Sequence, residues 1–312
     1  MPPSAGYERD ARDPALSLTG VLTAVLVSLR PRQWVKNLFV FAGLVFAQRL
    51  FTPAVWTALA AFVVFCGLSG AIYLLNDVAD RDKDRLHPDK RSRPIASGRL
   101  PVRAALAAAV VLIVIGLAAA VWLSRPFAVA AAAYVVLLSA YSAWLKHVVI
   151  VDVLVVALGF VLRAAAGALA IGVAISGWLL ICTVLLALFL ALGKRRHEVL
   201  TLEGSAARHR PILAEYSADL LDQMIAVVTA STVTAYALYT MSPETVAKFH
   251  TSLLPATLPF VLYGIFRYLY LLYRRHLGGN PSDMVVRDRP LLLNTLLWLI
   301  VVVLIIYGTR VE

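Results

Sequence analysis

Residues 76–98 read N-D-V-A-D-R-D-K-D-R-L-H-P-D-K-R-S-R-P-I-A-S-G, and charged residues are denser here than anywhere else in the chain. An apolar run precedes this stretch and another follows it. Its first carboxylates therefore lie at the end of an apolar helix, where ionisable residues are costly and usually functional. A solvated loop whose charges pair locally is the simpler alternative, but the position of the carboxylates favours a functional site.

Three aspartates of this stretch are suited to bind a divalent metal ion. Asp77, Asp80 and Asp84 are spaced i, i+3 and i+7, which places them on one face of a helix. Carboxylates on one face repel one another unless a cation lies between them. Their oxygen atoms suit Mg²⁺, which usually keeps several waters and bridges to substrate phosphates. We therefore predict that these aspartates are the metal ligands and the catalytic residues.

Three basic residues follow the aspartates. Lys90, Arg91 and Arg93 provide cationic hydrogen-bond donors within the same stretch. Such donors bind phosphate oxygens through charge-assisted hydrogen bonds, and arginine can make two at once. We predict that these residues bind the phosphates of a substrate.

The composition indicates an integral membrane protein. Of the 312 residues, 61% are hydrophobic and 15% are charged, and the mean hydropathy is +0.80. Soluble domains are roughly 45–50% apolar and about 25% charged. The formal charge of +11 indicates cytoplasmic loops and anionic lipid headgroups before nucleic acid. We expect no nucleic-acid partner.

Nine segments approach the roughly 20 apolar residues that a helix needs to cross a bilayer. They lie at about 35–51, 55–77, 102–123, 126–145, 149–172, 177–193, 219–241, 253–273 and 291–308. Because these helices can share one bundle, we predict an all-α integral membrane protein with about nine transmembrane helices. Residues 18–312 are expected to form this single domain, and residues 1–17 a disordered cytoplasmic tail.

Lysines and arginines are concentrated in the loops on one side of the predicted bundle. On the opposite side the loops contain only Arg49, Arg125, Lys248 and Arg310. Cytoplasmic loops carry the excess of basic residues in membrane proteins. We therefore predict a multi-pass protein of the plasma membrane with its N-terminus in the cytoplasm, its C-terminus outside and its active site at the cytoplasmic face.

Arg163 lies in the middle of the predicted span 149–172, in the sequence V-L-R-A-A-A-G. An arginine at this depth is expected to face the bundle interior or a polar cavity and to meet an anion. An ion pair with a carboxylate of the bundle is the structural alternative. The functional alternative is a contact with a substrate phosphate, so Arg163 is a candidate binding residue.

Further candidate residues lie on the predicted cytoplasmic side. Such residues can also have purely structural roles. A tyrosine can lie at the membrane interface, and a basic residue can set the topology. In the segment N-P-S-D-M-V-V-R-D-R-P, Asp283 can cap a helix. As candidates for substrate binding we take Lys36, Tyr141, Lys146, Lys194, Arg195 and Asp288.

The motifs N-D-V-A-D-R-D-K-D and H-P-D-K-R-S-R-P-I-A-S-G, together with about nine spans, resemble those of the UbiA-type intramembrane prenyltransferase superfamily. The resemblance covers nearly the whole chain after about Leu29. It implies that two aspartate-rich loops bind a Mg²⁺-diphosphate, and the first loop matches through Asn76, Asp77, Asp80 and Asp84. The second loop differs, because this chain has G-K-R-R-H-E where the superfamily has a D-x-x-x-D type of loop.

In this respect the chain is similar to the branch of the superfamily that contains decaprenyl-phosphate phosphoribosyltransferase. That branch also shows R-P-R-Q-W-V-K-N, K-R-x-R-P-I-A-x-G, a Y-x-x-x-x-K pair, a G-K-R loop and a final R-D-R, all present here. The resemblance implies Mg²⁺-dependent transfer of 5-phosphoribosyl from phosphoribosyl pyrophosphate to a long-chain polyprenyl phosphate, which would supply a cell-wall arabinan precursor. The residues expected to bind the acceptor phosphate are Lys36, Lys146 or Arg163.

Two other functions stay open at this stage. An aromatic prenyltransferase would use a prenyl diphosphate, and the departure in the second loop argues against it. A membrane transporter would also tolerate an arginine inside a span, but the sequence shows no clear repeat of two halves. Neither a monomer nor a homo-oligomer is excluded.

Overall fold

The computed structural model describes residues 18–88, 90–201, 211–275, 279 and 281–308. The predicted tail, residues 1–17, lies outside this description. Within the described residues the chain is helical and contains no strand. The predicted all-α class is therefore confirmed.

The helices follow one another along the chain with mostly short connections. They are α1 (Leu18–Ser28), a 3₁₀ helix (Pro31–Phe41), α2 (Ala42–Phe46), α3 (Ala54–Ala79), α4 (Arg81–Leu86), α5 (Val102–Leu123), α6 (Arg125–Ala143), a 3₁₀ turn (Leu145–His147), α7 (Val151–Ala170), α8 (Gly177–Thr201), a 3₁₀ turn (Pro211–Glu215), α9 (Ala218–Met241), α10 (Pro243–Phe249), a 3₁₀ turn (Leu254–Thr257), α11 (Leu258–Arg274), α12 (Pro281–Arg287) and α13 (Arg289–Gly308).

Eight helical segments of the described chain are long and apolar enough to cross a membrane. They are α3, α5, α6, α7, α8, α9, α11 with its preceding 3₁₀ turn, and α13. They coincide with eight of the nine predicted spans. The chain is therefore a multi-pass membrane protein.

The first predicted span, residues 35–51, differs from the other eight. It falls mainly in the 3₁₀ helix Pro31–Phe41 and the five-residue helix α2, and it is not among the eight long helices. A 3₁₀ helix rises about 2.0 Å per residue against about 1.5 Å in an α-helix. The 3₁₀ helix and α2 together therefore rise roughly 30 Å, close to the thickness of the hydrocarbon core.

A close backbone contact holds the 3₁₀ helix against α7. A Cβ atom at Gly167 would lie 1.8 Å from the carbonyl oxygen of Val40, so only glycine fits at this position. Because a 3₁₀ helix has three residues per turn, Asn37 and Val40 lie above one another on the side that α7 covers, and both are buried. The contact therefore brings Asn37 next to α7.

Helix α7 lies between two apolar cores. One core joins it to α3 and α6 and includes Phe65, Phe127 and Tyr134. The other joins it to α8, α9 and α11 and includes Phe189 and Leu221. The second half of α7 is rich in alanine and glycine, and small residues allow close packing of helices in lipid. Side chains of α7 that face the cores are thus surrounded by protein, whereas Leu154 and Leu158 are exposed.

Candidate active site

One face of α3 leads from the interior of the bundle to the end of the helix. Cys66, Ser69, Tyr73 and Asp77 are spaced by three or four residues, so they lie above one another on this face. Four residues of α-helix rise about 6 Å. Tyr73 therefore lies about one turn, and Ser69 about two turns, deeper than Asp77. We call the level of Asp77 the outer layer and the level of Ser69 the inner layer.

Two buried aspartates of the outer layer share one arginine. Asp77 is 2% exposed and Asp84 is 4% exposed. The Nη1 atom of Arg93 lies 3.1 Å from Oδ1 of Asp77 and 2.6 Å from Oδ2 of Asp84. Arg30, which precedes the 3₁₀ helix, also donates to Asp77. The spacing of the aspartates in the sequence thus places two carboxylates around one guanidinium group.

The third aspartate is paired with a lysine from another part of the chain. Asp80 lies at the break between α3 and α4, and its Oδ1 atom lies 2.6 Å from Nζ of Lys146. Lys146 is in the 3₁₀ turn after α6 and is only 7% exposed. This ion pair ties the end of α6 to the aspartate-rich segment.

The donor atoms of the outer layer fit Mg²⁺ chemically. Asp77, Asp80 and Asp84 offer carboxylate oxygens, and Asn76 adds an amide oxygen, which are the hard ligands that Mg²⁺ prefers. The three carboxylates also interact electrostatically. In the described parts of the chain, no three His, Cys, Asp or Glu side chains are already arranged around a metal position. Their charge partners in this structure are Arg30, Arg93 and Lys146.

The other basic residues of the loop lie at different depths. Lys90 is half-buried, and burial, reinforced by the nearby charge of Arg93, lowers the pKa of its ammonium group. Its other charged neighbours are Asp84, Glu198 and Lys194. Lys90 therefore lies near the C-terminal part of α8. Arg91, in contrast, is exposed to solvent.

Arg163 occupies the inner layer and is 5% exposed. Its Nε atom donates to Oδ1 of Asn37 at 2.8 Å, Nη2 donates to the hydroxyl of Tyr134 at 2.7 Å, and Nη1 donates to the carbonyl of Gly159 at 2.9 Å. The guanidinium group also lies over the ring of Tyr134, 4.7 Å from its centroid. All of these partners are neutral. The structural alternative, an ion pair with a carboxylate of the bundle, is not formed within the described residues.

Asn37 connects Arg163 to α3. Its amide nitrogen donates to Oγ of Ser69 at 3.2 Å and to Sγ of Cys66 at 3.3 Å. Asn37 is 1% exposed, so its orientation is fixed by these contacts. The 3₁₀ helix, α3 and α7 therefore meet at one hydrogen-bonded amide.

Lys36 lies next to Asn37 and is half-buried. Its charged neighbours are Lys194, Arg163 and Arg30, which are positive, and Asp283, which is negative. Between the two layers, Arg30 lies over the ring of Tyr73, 4.8 Å from its centroid. Positive charge therefore extends from the outer layer into the inner layer.

Arg195 lies in a second buried cluster, in the C-terminal part of α8. Its Nη2 atom lies 2.6 Å from Oδ2 of Asp152, and its Nη1 atom lies 2.5 Å from Oε2 of Glu198. The hydroxyl of Tyr216 donates to Oδ1 of Asp152 at 2.7 Å and accepts from the backbone N–H of Ile150 at the same distance. Burial, with the hydrogen bond to Asp152, raises the pKa of Tyr216 to about 12. Two carboxylates thus neutralise Arg195.

A family model fits most of this architecture. The model of the UbiA prenyltransferase family matches residues 37–286. The chain belongs to this family. The match runs from Asn37 of the inner layer through the aspartates of the outer layer to α12.

Curated relatives resemble the chain over almost its whole length. A protein of Corynebacterium glutamicum named decaprenyl-phosphate phosphoribosyltransferase is 34% identical over 91% of this chain and 86% of its own. A protein of the same name from Mycobacterium tuberculosis is also 34% identical, over 92% of this chain and 94% of its own. A third, from Mycolicibacterium smegmatis, is 30% identical over 89% and 91%.

Solved structures confirm the fold. A UbiA homologue from Archaeoglobus fulgidus, solved with GPP and Mg²⁺, superposes with a TM-score of 0.70 at 19% identity and covers 91% of this chain and 99% of its own. The same homologue was also solved with Cd²⁺, with a TM-score of 0.66. At this identity the likeness concerns the arrangement of helices.

The segment G-K-R-R-H-E stands where the family has its second acidic loop. Its three basic residues make different contacts. Lys194 lies 3.5 Å from Glu198 and is exposed. Arg195 belongs to the buried cluster with Asp152. Arg196 pairs with Asp222 of α9 at 2.5 Å. Lys194 and Arg195 thus share Glu198, whereas Arg196 pairs with another helix. Of the three, Lys194 is the one whose charge reaches Lys90 and Lys36.

Two further candidates lie away from the layers of this UbiA-family site. Asp288 makes a two-point ion pair with Arg267, with atom separations of 2.8 and 3.1 Å, and accepts from the backbone N–H of Leu291 at the start of α13. Arg267 thereby holds the pKa of Asp288 below its usual value. Tyr141, at the end of α6, interacts with the charge of Arg195.

The structure adds residues to the site that sequence reasoning missed. Arg30, Asn37 and Tyr134 contact predicted site residues but were not among the candidates. Asn37 offered a signal, because it is an amide next to a lysine inside a predicted span. Tyr134 offered none, since a tyrosine in an apolar helix is usually a packing residue.

Proposed function

We propose that the chain transfers a 5-phosphoribosyl group from phosphoribosyl pyrophosphate to a long-chain polyprenyl phosphate. The observation that carries this proposal is the meeting of the aspartate-rich segment with the C-terminal part of α8, where Lys90 has Asp84, Arg93, Lys194 and Glu198 as charged neighbours. A sugar donor with phosphate groups at both ends needs more cationic contacts than a prenyl diphosphate. The relatives that match about nine-tenths of the chain are named for decaprenyl phosphate and for transfer of a phosphoribosyl group, which supports this acceptor and this transferred group.

The reaction would exchange one C–O bond for another. The bond from the anomeric carbon to the pyrophosphate oxygen breaks, and pyrophosphate leaves with the electron pair. An oxygen of the lipid phosphate forms the new bond to the same carbon. Because a phosphate monoester has a second pKa of about 6, it is largely ionised near neutral pH, and no base has to remove a proton.

The residues of the outer layer would bind the donor. Asp77, Asp80 and Asp84, with Asn76, would hold Mg²⁺, which supplies positive charge to the leaving pyrophosphate. Arg93 and Lys90 would bind donor phosphates by charge-assisted hydrogen bonds. Carboxylates near the sugar also stabilise the positive charge that develops as the bond breaks.

The orientation of the bundle in this proposal follows the distribution of basic residues. The protein would lie in the plasma membrane. The aspartate-rich segment and the end of α8 would face the cytoplasm. The acceptor would stay in the membrane with its hydrocarbon chain. The water-soluble donor would reach the outer layer from the cytoplasmic side.

Transfer of a prenyl group from a prenyl diphosphate to an aromatic acceptor is the second candidate. It is favoured by the homologue solved with GPP and Mg²⁺, which shares the fold. The two reactions differ in the labelled fragment that enters the lipid phase, so one assay with two donors separates them.

The test is a donor assay with the purified full chain in detergent, Mg²⁺ and polyprenyl phosphate. We expect label from phosphoribosyl pyrophosphate to enter the lipid phase in a reaction that EDTA abolishes. Asp77→Asn should lower the rate by roughly 10²–10³-fold, the loss typical of removing one strong electrostatic contact in an active site. Asp82→Asn is the matched control, because Asp82 is exposed on the neighbouring helix α4.

Two outcomes would contradict the proposal. Consumption of labelled prenyl diphosphate in place of phosphoribosyl pyrophosphate would assign the protein to prenyl transfer. Equal rates for Asp77→Asn and Asp82→Asn would show that the proposed assignment of the aspartates as metal ligands is wrong.

A further inference from the structure

Arg163 is a buried cation whose counter-charge is missing from the described residues. Its three hydrogen-bond partners, Asn37, Tyr134 and the carbonyl of Gly159, are all neutral. A guanidinium group has five N–H donors, so two remain for another acceptor. A charge inside a membrane protein is costly unless an anion meets it. The inner layer is therefore built to receive an anion that the chain itself does not provide.

Lys36 adds a second basic side chain to this place. It directly precedes Asn37 in the 3₁₀ helix, and no hydrogen bond or ion pair of its ammonium group is found in the part of the chain that is described. Three of its four charged neighbours are positive. Two cations from different segments thus point to a ligand with more than one negative oxygen.

The cations of the outer layer are engaged differently. Lys146 is paired with Asp80, and Arg93 is shared by Asp77 and Asp84. An anion bound there would compete with carboxylates. The inner layer, about two helical turns deeper on α3, offers basic side chains without that competition.

Building on the proposed function, we propose that Arg163 and Lys36 form the subsite for the phosphate group of the lipid acceptor. Asn37 and Tyr134 are positioning residues, because each holds one edge of the guanidinium group. The inner layer is roughly 12 Å from Asp77 along α3, which leaves room for a sugar between the two phosphate groups. The subsite selects a phosphate monoester on a hydrocarbon chain over the corresponding neutral alcohol.

The experiment compares three ligands on the purified full chain in detergent: a short polyprenyl phosphate, the polyprenol of the same length and phosphoribosyl pyrophosphate. Thermal shifts give the affinities, and transfer assays give the KM of each substrate. The wild-type protein should bind the lipid phosphate far more tightly than the alcohol. Arg163→Gln should weaken binding of the lipid phosphate roughly tenfold to a hundredfold and leave the alcohol and the KM of the pyrophosphate donor unchanged.

Two further variants make the result decisive. Arg125→Gln removes an exposed arginine at the start of α6 and should leave every affinity unchanged. Lys36→Gln breaks no hydrogen bond within the described chain, so it tests the subsite even if Arg163→Gln does not fold. It should weaken binding of the lipid phosphate roughly tenfold.

Each contrary outcome has a defined meaning. Unchanged preference for phosphate over alcohol in Lys36→Gln, and in Arg163→Gln where it folds, would overturn the proposal. A higher KM for phosphoribosyl pyrophosphate with normal lipid binding would also overturn it, because the subsite would then hold the donor's 5-phosphate. Absence of phosphoribosyl transfer in the wild type, with Arg163-dependent binding of the lipid phosphate retained, would refute only the proposed function.

Discussion

Arg163 and Arg195 lie on neighbouring helices, and each is 5% exposed. Arg195 is paired with the carboxylates of Asp152 and Glu198, whereas the partners of Arg163 are an amide, a hydroxyl and a backbone carbonyl. Burial alone therefore does not show whether an arginine inside a membrane protein has a counter-charge. The surroundings do in this pair, because two carboxylates neutralise Arg195, whereas no carboxylate meets Arg163 within the described residues.

The largest expected effect comes from removing the paired arginine. Arg195→Gln should lower the free energy of unfolding by about 3–5 kcal/mol, because it leaves the fully buried Asp152 without its counter-charge. Arg163→Gln, the matched change, should cost less than half of that, since it leaves no carboxylate unpaired. Thermal or denaturant unfolding in detergent measures both. Equal losses for the two variants would show that the neutral partners of Arg163 are as important for folding as the carboxylates of Arg195.

A smaller effect is expected when Arg163 is given a carboxylate of its own. In Asn37→Asp, the oxygen that already lies 2.8 Å from Nε of Arg163 becomes charged, and the inner layer then resembles the surroundings of Arg195. The KM for the lipid phosphate should rise roughly tenfold to a hundredfold, as for loss of a charge-assisted contact. The unfolding temperature should not fall. Asn37→Ala is the control, and an equal KM in both variants would show that loss of the amide, not the added charge, causes the effect.

The smallest effect is expected at Tyr134. Tyr134→Phe removes the hydroxyl that accepts from Nη2 of Arg163 but keeps the ring beneath the guanidinium group. The KM for the lipid phosphate should rise roughly fivefold to tenfold, because about 1–1.5 kcal/mol is typical of one such hydrogen bond. The KM for the pyrophosphate donor should stay the same. A change in the donor KM alone would place Tyr134 with the outer layer.

Much of the fold could be predicted from the sequence. Eight spans follow from the length of the apolar runs, and the common face of Asp77 and Asp84 follows from the helical period. The first span could not be predicted as a 3₁₀ helix, because its apolar residues suit an α-helix equally well. The segment also makes a close backbone contact, between Val40 and Gly167, that the sequence does not reveal because the two residues are far apart along the chain.

The candidate site could be predicted only in part, for a similar reason. The segment G-K-R-R-H-E reads as one cationic group, but Arg195 and Arg196 pair with Asp152 and Asp222 of other helices. A single sequence does not show which carboxylate meets which arginine. The neutral surroundings of Arg163 were equally hidden, because Asn37 is 126 residues away along the chain.

Gly167 limits how this protein could be re-engineered for new lipids. It lies four residues after Arg163 on α7, and Val40 lies three residues after Asn37, so the backbone contact and the hydrogen bond of Arg163 join the same two segments one turn apart. One added methyl group would meet the carbonyl oxygen of Val40 at 1.8 Å and would force these segments apart. A mutant library aimed at altered acceptor choice can vary the apolar side chains around the inner layer, but it should keep glycine at position 167. A Cβ atom there would displace the guanidinium group of Arg163 without contacting it.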